Sequence, residues 1–385
     1  MATVDDLYAR IAEAVALRSD DAAIRIRARY EPQGGPEAKV YPPTYLERDG
    51  TRYHFERRWT ARGELEQVVV LDSYQSQANR CEAALSSVAA ELGLPRIVLR
   101  VRVGGRVIDI DNLLAPHRSR DAYFIDGTRH GVRFDETEVG RELNEATDAD
   151  LTALLKYSPA DLIYGVWDSH RDKRIALKVA RSYTSEIIGW SPEQGRRAAT
   201  KGDPLNLPGG DTVPAREWRV GGTATKSKKD SRKLSDLGHG MVPGEADPLT
   251  GGVSVREITR LAVISLTGLA RLRFGGNGYE VPARALLASI ALYADRLAFG
   301  GSGIHLRSGC DLVLREETIE WVQRGGGTER LVVTTDETRA LAEQAKRRLE
   351  ESGVRWDPEP IVLEPIEPLA KVIEAVLRGD VPPEE

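Results

Sequence analysis

The chain has 385 residues, of which 41% are hydrophobic and 29% charged, with a formal net charge of -5. That length suffices for one large core or two smaller ones, and the acidic balance argues against a general-purpose nucleic-acid coat. The longest apolar stretch, Leu261 to Ala270, is bounded by Arg260 and Arg271 and is too short to span a bilayer.

The start, Met-Ala-Thr-Val-Asp-Asp, has no basic segment followed by an apolar block. No membrane contact and a cytoplasmic location are therefore expected. Residues 3–17 read as a short amphipathic helix with Leu7, Ile11 and Val15 four apart. Residues 22–30, AAIRIRARY, alternate as a strand with Arg25, Arg27 and Arg29 on one face. A Pro/Gly turn region occupies 31–43. Residues 45–70 read as a hairpin around Asp49-Gly50 with a further turn at Arg62-Gly63. A helix then runs from the Asp72-Ser73 pair to about Leu92. Residues 96–103 and 106–110 read as strands joined at Gly104-Gly105. Residues 148–157 read as a helix capped by Asp148, and 162–167 as a buried strand. Residues 254–274 are apolar and fit either a helix or a strand. A helix with Pro282 at its first position is expected to run to Phe299, with Gly300 beyond it. Strands follow at 304–316 and 320–334. Thr334 and Glu337 form a capping box for a helix ending at Gly353, and 368–378 read as a last amphipathic helix. Cys81 falls on a helix core face and Cys310 in a strand, so both should be buried, reduced thiols.

Residues 192–252 differ from the rest. Pro and Gly supply 17 of these 61 residues, a composition that cannot build a packed core. The expected division is a core of 1–191 and 253–385 with a flexible 192–252 insertion, which holds a hairpin around Glu217 to Thr225. Charge is uneven too. Residues 196–233 carry ten Lys or Arg against four Asp or Glu, while 334–385 carry seven against thirteen. A basic element on an acidic body suits a bound polyanion or head-to-tail packing of identical subunits. It equally suits a solvated loop.

Chemistry-bearing motifs are few. The six histidines show no paired ligand spacing, and no C-x-x-C, H-E-x-x-H or P-loop is present, so no metal, cofactor or triphosphate site is expected. The stretch 72–80, DSYQSQANR, places Ser73, Ser76, Gln77 and Arg80 on one stripe of a helix N-terminus, with Asn79 beside them. Free N–H groups and the helix dipole favour an anion there. The alternative is a plain capped helix whose Arg80 pairs with a local carboxylate. Arg181, Ser182 and Ser185 suit a second phosphate clamp, unless Arg181 pairs with Glu186. Lys226, Lys228, Lys229, Arg232 and Lys233 make a basic cluster, with Trp218 and Met241 near enough in sequence to wedge between bases. Gly238-His239-Gly240 permits close backbone approach to a ligand or forms a tight turn. Arg307 faces a ligand or pairs with Asp311. Cutting RNA needs a base within reach of a 2′-hydroxyl, and only Asp72, Asp168 and His239 are nominees. Asp72 reads more simply as part of a cap.

DSYQSQANR, RSYTSEIIGW (181–190), KLSDLGHG (233–240) and LRSGCDL (306–312) recur in order across most of the chain. In this combination the chain resembles the backbone subunit of the type I-U (I-G) CRISPR Cascade complex, a member of the RAMP (repeat-associated mysterious protein) superfamily. The resemblance implies an α+β fold, a modified RRM-like (ferredoxin-like) core with large inserted thumb and finger elements. It implies a non-catalytic subunit that polymerises head to tail along CRISPR guide RNA. Such a subunit presents the guide to target DNA beside a fused Cas five/six-type subunit, a large subunit and the helicase-nuclease. A metal-independent endoribonuclease using Asp72 or His239, and a free-standing single-stranded RNA-binding module, are the competing readings.

Overall fold

Alternation of apolar and charged side chains builds the central strand, Asp21–Pro32. Ile24, Ile26, Ala28 and Tyr30 are buried on one side of it, while Arg27 and Arg29 are exposed on the other. The computed structural model describes residues 3–45, 52–168, 177–196, 201–214, 231–241 and 250–378.

This strand sits within an antiparallel sheet. In spatial order its strands are Gly303–Arg307, Cys310–Gln323, Asp21–Pro32, Glu257–Ser265, Tyr183–Trp190, Leu65–Asp72 and Phe55–Trp59. Thr328–Leu331 adds a further strand beside Cys310–Gln323. A second sheet holds Arg106–Asp111, Ile97–Val103, Ile361–Pro365, Gly127–Arg129 and Val132–Arg133. Its one parallel pairing ties the C-terminal strand Ile361–Pro365 to Ile97–Val103.

Helices cover one face of the large sheet. Glu280–Phe299 is buried without a break from Ala283 to Arg296. It packs against the helices Val4–Ala14, Tyr74–Leu92 and Thr335–Glu351. A largely apolar sequence suits a helix so enclosed, and its buried charges Asp295 and Arg296 are paired within the core. The fold is α+β, compatible with an RRM-like core carrying insertions. Among the described residues, no helix is long and apolar enough to cross a membrane.

Several elements differ from their sequence expectation. Residues 162–167 are not one strand. Pro159–Tyr164 is a helix with Pro159 at its start, and every residue of it is buried. Gly165, at φ 87°, breaks it before the short strand Val166–Asp168. A fully buried helix and a fully buried strand show the same unbroken apolar run. Asp148 is not a cap; Asp150 Oδ1 accepts from the Thr152 amide at 3.0 Å instead. Pro282 lies two residues inside its helix. Residues 304–316 divide at a turn on Ser308-Gly309, with Gly309 at φ 73°. The ambiguous 254–274 stretch is the strand Glu257–Ser265 followed by a short helix, Leu266–Leu269.

The capping box at Thr334 and Glu337 is present. In the insertion, Thr212–Pro214 pairs with Ser231–Lys233, bracketing the expected hairpin. The residues between these strands, with Trp218, Lys226, Lys228 and Lys229, lie outside the described residues, as does the expected Asp49-Gly50 turn.

Both thiols are buried and free. Burial pushes Cys81 up to about 12 and Cys310 up to about 11. A thiol needs its thiolate to react. The folded protein is therefore expected to resist Ellman's reagent at pH 8 and to release two equivalents after unfolding in guanidinium. Rapid labelling of the native chain would contradict that burial.

Candidate nucleic-acid interface

The DSYQSQANR helix does hold an anion at its start, and the anion is Asp72. This carboxylate is fully buried at the end of the strand Leu65–Asp72. Ser76 Oγ donates to its Oδ1 at 2.7 Å, Arg80 Nε to its Oδ2 at 2.9 Å, and Arg307 Nη2 to its Oδ1 at 3.1 Å. Gln77 Nε2 also donates to Oδ2. A buried carboxylate is tolerated only with such partners. Ser73 is the N-cap, its Oγ accepting from the Ser76 amide. Asn79 is exposed.

Arg80 bridges further. Its guanidinium donates to the carbonyls of His305 at 3.1 Å and Leu306 at 2.9 Å, and Arg307 donates to the Leu71 carbonyl. The two arginines thus fasten the edge hairpin 303–312 to the helix and to the strand that precedes it. Of the two readings of Arg80, the carboxylate pair is the one observed. Arg307 likewise pairs with Asp72, while Asp311 pairs with His305. Arg80→Ala is expected to cost roughly 1–3 kcal/mol of stability, the range for a hydrogen-bonded charge or an orphaned buried acceptor. Urea denaturation reads this directly, and an unchanged midpoint would remove Arg80 from the scaffold.

Gln77 passes the network inward. Its Oε1 accepts from Ser185 Oγ at 2.7 Å and from Arg260 Nε at 3.0 Å. Ser185 is fully buried and Ser182 nearly so. Neither Gln77 nor Ser185 has a surface to offer an outside ligand. Arg181 is exposed and has no side-chain partner among the described residues. Glu186 pairs with Arg58 and accepts from Tyr74 OH at 2.8 Å, so Arg181 does not take it.

The insertion contributes Arg232, half-buried, and Lys233, exposed. Gly238-His239-Gly240 is a tight turn. Gly238 and Gly240 have φ of 84° and 101°, and a Cβ on Gly240 would come within 2.9 Å of the Gly209 backbone. His239 is exposed beside them.

The uncovered face of the large sheet carries a groove of about 660 Å³, within the ~300–1,000 Å³ usual for ligand clefts. Strand register builds it. Arg27 stands opposite Leu261 and Thr318, and Arg29 opposite Thr259 and Glu316. On the next strand Glu186 faces Leu261 and Ile188 faces Thr259. Trp190 lies on the floor, its Nε1 donating to Thr259 Oγ1 at 2.8 Å. Trp59 stands at the rim, 69% exposed. The side chains of Arg27, Arg29, Arg58 and Arg256 line the groove against Glu186, Glu257 and Glu316.

These arginines are held by carboxylates in the free chain. Arg27 reaches Glu320 at 3.3 Å, Arg29 reaches Glu257 at 2.8 Å, and Arg256 reaches Glu66 at 2.8 Å. Exposed pairs of this kind contribute about 0–1 kcal/mol each, so a phosphate can take the carboxylate's place at small cost. Chemically the groove offers cations for phosphates and indole faces for bases. Among the described residues no group of three or more His, Cys, Asp or Glu is placed to hold a metal. The alternation at 22–30 already carried the signal for Arg27 and Arg29. Nothing local in the sequence joined them to Trp59 and Trp190, which arrive from other strands.

Residues 24–193 match the family model described as CRISPR-associated protein GSU0053. The matched stretch takes in most of the central strand, Asp72 with the helix that follows it, and the strand Tyr183–Trp190. The match indicates a CRISPR-associated protein with a role in CRISPR defence. No curated protein matches the chain.

Proposed function

We propose that this CRISPR-associated chain is a guide-RNA-binding backbone subunit of a type I-U (I-G) Cascade effector. Copies polymerise head to tail along the spacer and hold the ribose-phosphate chain, so that the bases stay free to pair with target DNA. The fused Cas five/six-type subunit, the large subunit and the helicase-nuclease are its proposed partners. The insertion 192–252 acts as the thumb. The observation that carries this reading is the groove on the uncovered sheet face, where arginines and tryptophans converge on one cleft. RRM-type sheets take single strands by a similar combination of aromatic and basic groups.

In this reading the chain cuts nothing. Asp72 is buried and its oxygens are occupied by Ser76, Gln77, Arg80 and Arg307. That placement disfavours a general base, which must reach a 2′-hydroxyl. The test is purification from cells carrying a CRISPR array. The protein should bring down RNA containing spacer sequence, and labelled guide RNA should stay intact with or without divalent metal. Recovery free of RNA, or specific cleavage lost in His239→Ala, would overturn the proposal.

A further inference from the structure

A second exposed tryptophan lies off the groove. Trp167 belongs to the two-stranded pair Val166–Asp168 and Leu177–Val179, directly opposite Lys178. The inner side of this pair is core: Val166, Leu177 and Val179 are buried. The outer side presents Trp167, 65% exposed, and Lys178, whose Nζ lies 5.8 Å from the centre of the indole ring. The base of the pair is anchored. Gly165 lies so close to the chain that a Cβ there would meet the Val179 carbonyl and the Arg181 amide, both at 3.1 Å. Its own carbonyl accepts from Arg118 Nη1 at 3.0 Å. Arg118 in turn is held by the buried Glu82.

A large indole thus stands in water on an anchored strand pair, contributing little to the core. One cation stands with it, and a second follows along the partner strand's chain. Lys178 shares its face, and exposed Arg181 follows two residues after the strand ends. Lys178 contacts the ring itself, and neither cation has a carboxylate partner among the described residues. This sets the patch apart from the groove, where each arginine has a glutamate. An indole beside the Lys178 cation complements a group that is aromatic and anionic together. Single-stranded nucleic acid has that character at every residue.

We infer that Trp167 is a base-stacking platform and Arg181 a phosphate contact for single-stranded RNA, at a site separate from the groove. This rests on the reading of the chain as an RNA-binding subunit. Arg181 and Glu186 of the groove wall are five residues apart in the chain, a span of at most roughly 16 Å. One RNA strand can therefore meet both places.

The test uses the full chain, a labelled oligouridine and an abasic ribose-phosphate oligomer of the same length. Trp167→Ala should weaken oligouridine binding about 5- to 150-fold, the loss of one stacked base, and leave abasic binding unchanged. Trp167→Phe, which keeps a ring, should recover most of the affinity. Arg181→Ala should weaken both oligomers and lower the salt slope by about 0.7. Wild-type binding with an unaltered Trp167→Ala variant would overturn this inference while the RNA-binding reading stands. The same result with altered sedimentation would assign the ring to a protein contact and overturn it too. No RNA binding by the wild type would bring down both.

Discussion

Asp295→Ala is expected to lower the unfolding free energy by about 3–5 kcal/mol, the cost of removing one partner from a buried ion pair. Asp295 lies on the enclosed helix Glu280–Phe299 and is fully buried. Its Oδ2 accepts from Tyr183 OH at 2.7 Å and from Arg260, and its Oδ1 accepts from Arg296 Nη2 at 2.6 Å. Arg260 rises from the strand Glu257–Ser265 and stacks 3.7 Å from the ring centre of Phe299. Without the carboxylate, the Arg260 charge stays buried with only neutral acceptors, Gln77 and Tyr183. Among the described residues its Nη1 already lacks a hydrogen-bond partner.

The same group sets a pH dependence. Burial pushes the Asp295 carboxyl up, but Arg260 and Arg296 outweigh it and hold the group at about 2, against 3.8 unfolded. A depressed carboxyl stabilises fully above its unfolded value, and that stability is lost as pH falls through the folded value. The wild type should therefore lose stability between about pH 4 and pH 2. Asp295→Asn should be less stable at pH 7 and flatter across that window. Urea midpoints measured from pH 7 to pH 2 decide the matter. Equal midpoints for wild type and Asp295→Ala would mean the network adds nothing.

Arg260 also explains what the sequence hid. In Glu257–Ser265 the buried row is Ile258, Arg260, Ala262 and Ile264. A charged residue in the inward row breaks the period-two signal, and the strand looked ambiguous because its partner, Asp295, lies on a distant helix. DSYQSQANR was legible as a strand end followed by a capped helix, and as a place that favours an anion. That the anion would be Asp72 itself was not legible, because Arg307 reaches it from a hairpin more than 200 residues away. Local alternation gave Arg25, Arg27 and Arg29 a common face. The groove that Arg27 and Arg29 help form requires the register of the Asp21–Pro32, Glu257–Ser265 and Tyr183–Trp190 strands, which is fixed only when the sheet assembles. Gly165 shows the opposite case: a single residue with φ 87° ends a helix and starts a strand within one apolar run.

The groove gives the second large effect. Arg27→Ala with Arg29→Ala should leave the chain folded, since both side chains are exposed and their glutamate partners contribute little. Binding to guide RNA should weaken. Each lost charge-assisted phosphate bond costs about 1.5–3 kcal/mol, roughly ten-fold or more per contact. The slope of log affinity against log salt should fall by about 1.4, near 0.7 for each single-strand phosphate released. Loss should be alike for all guide sequences, because backbone contacts carry no base identity. Trp59→Ala should cost a further 1–3 kcal/mol if a base stacks on that exposed ring. The carboxylates give a test of opposite sign. Glu257→Gln with Glu316→Gln frees Arg29 from both its carboxylates without removing a cation, so it should tighten RNA binding. A purely structural ladder of Arg and Glu would show no gain from that change. If the double arginine variant keeps its affinity and its salt slope, the phosphate contacts lie elsewhere. Arg232, Lys233 and the run at Lys226, Lys228 and Lys229 are then the positions to alter next.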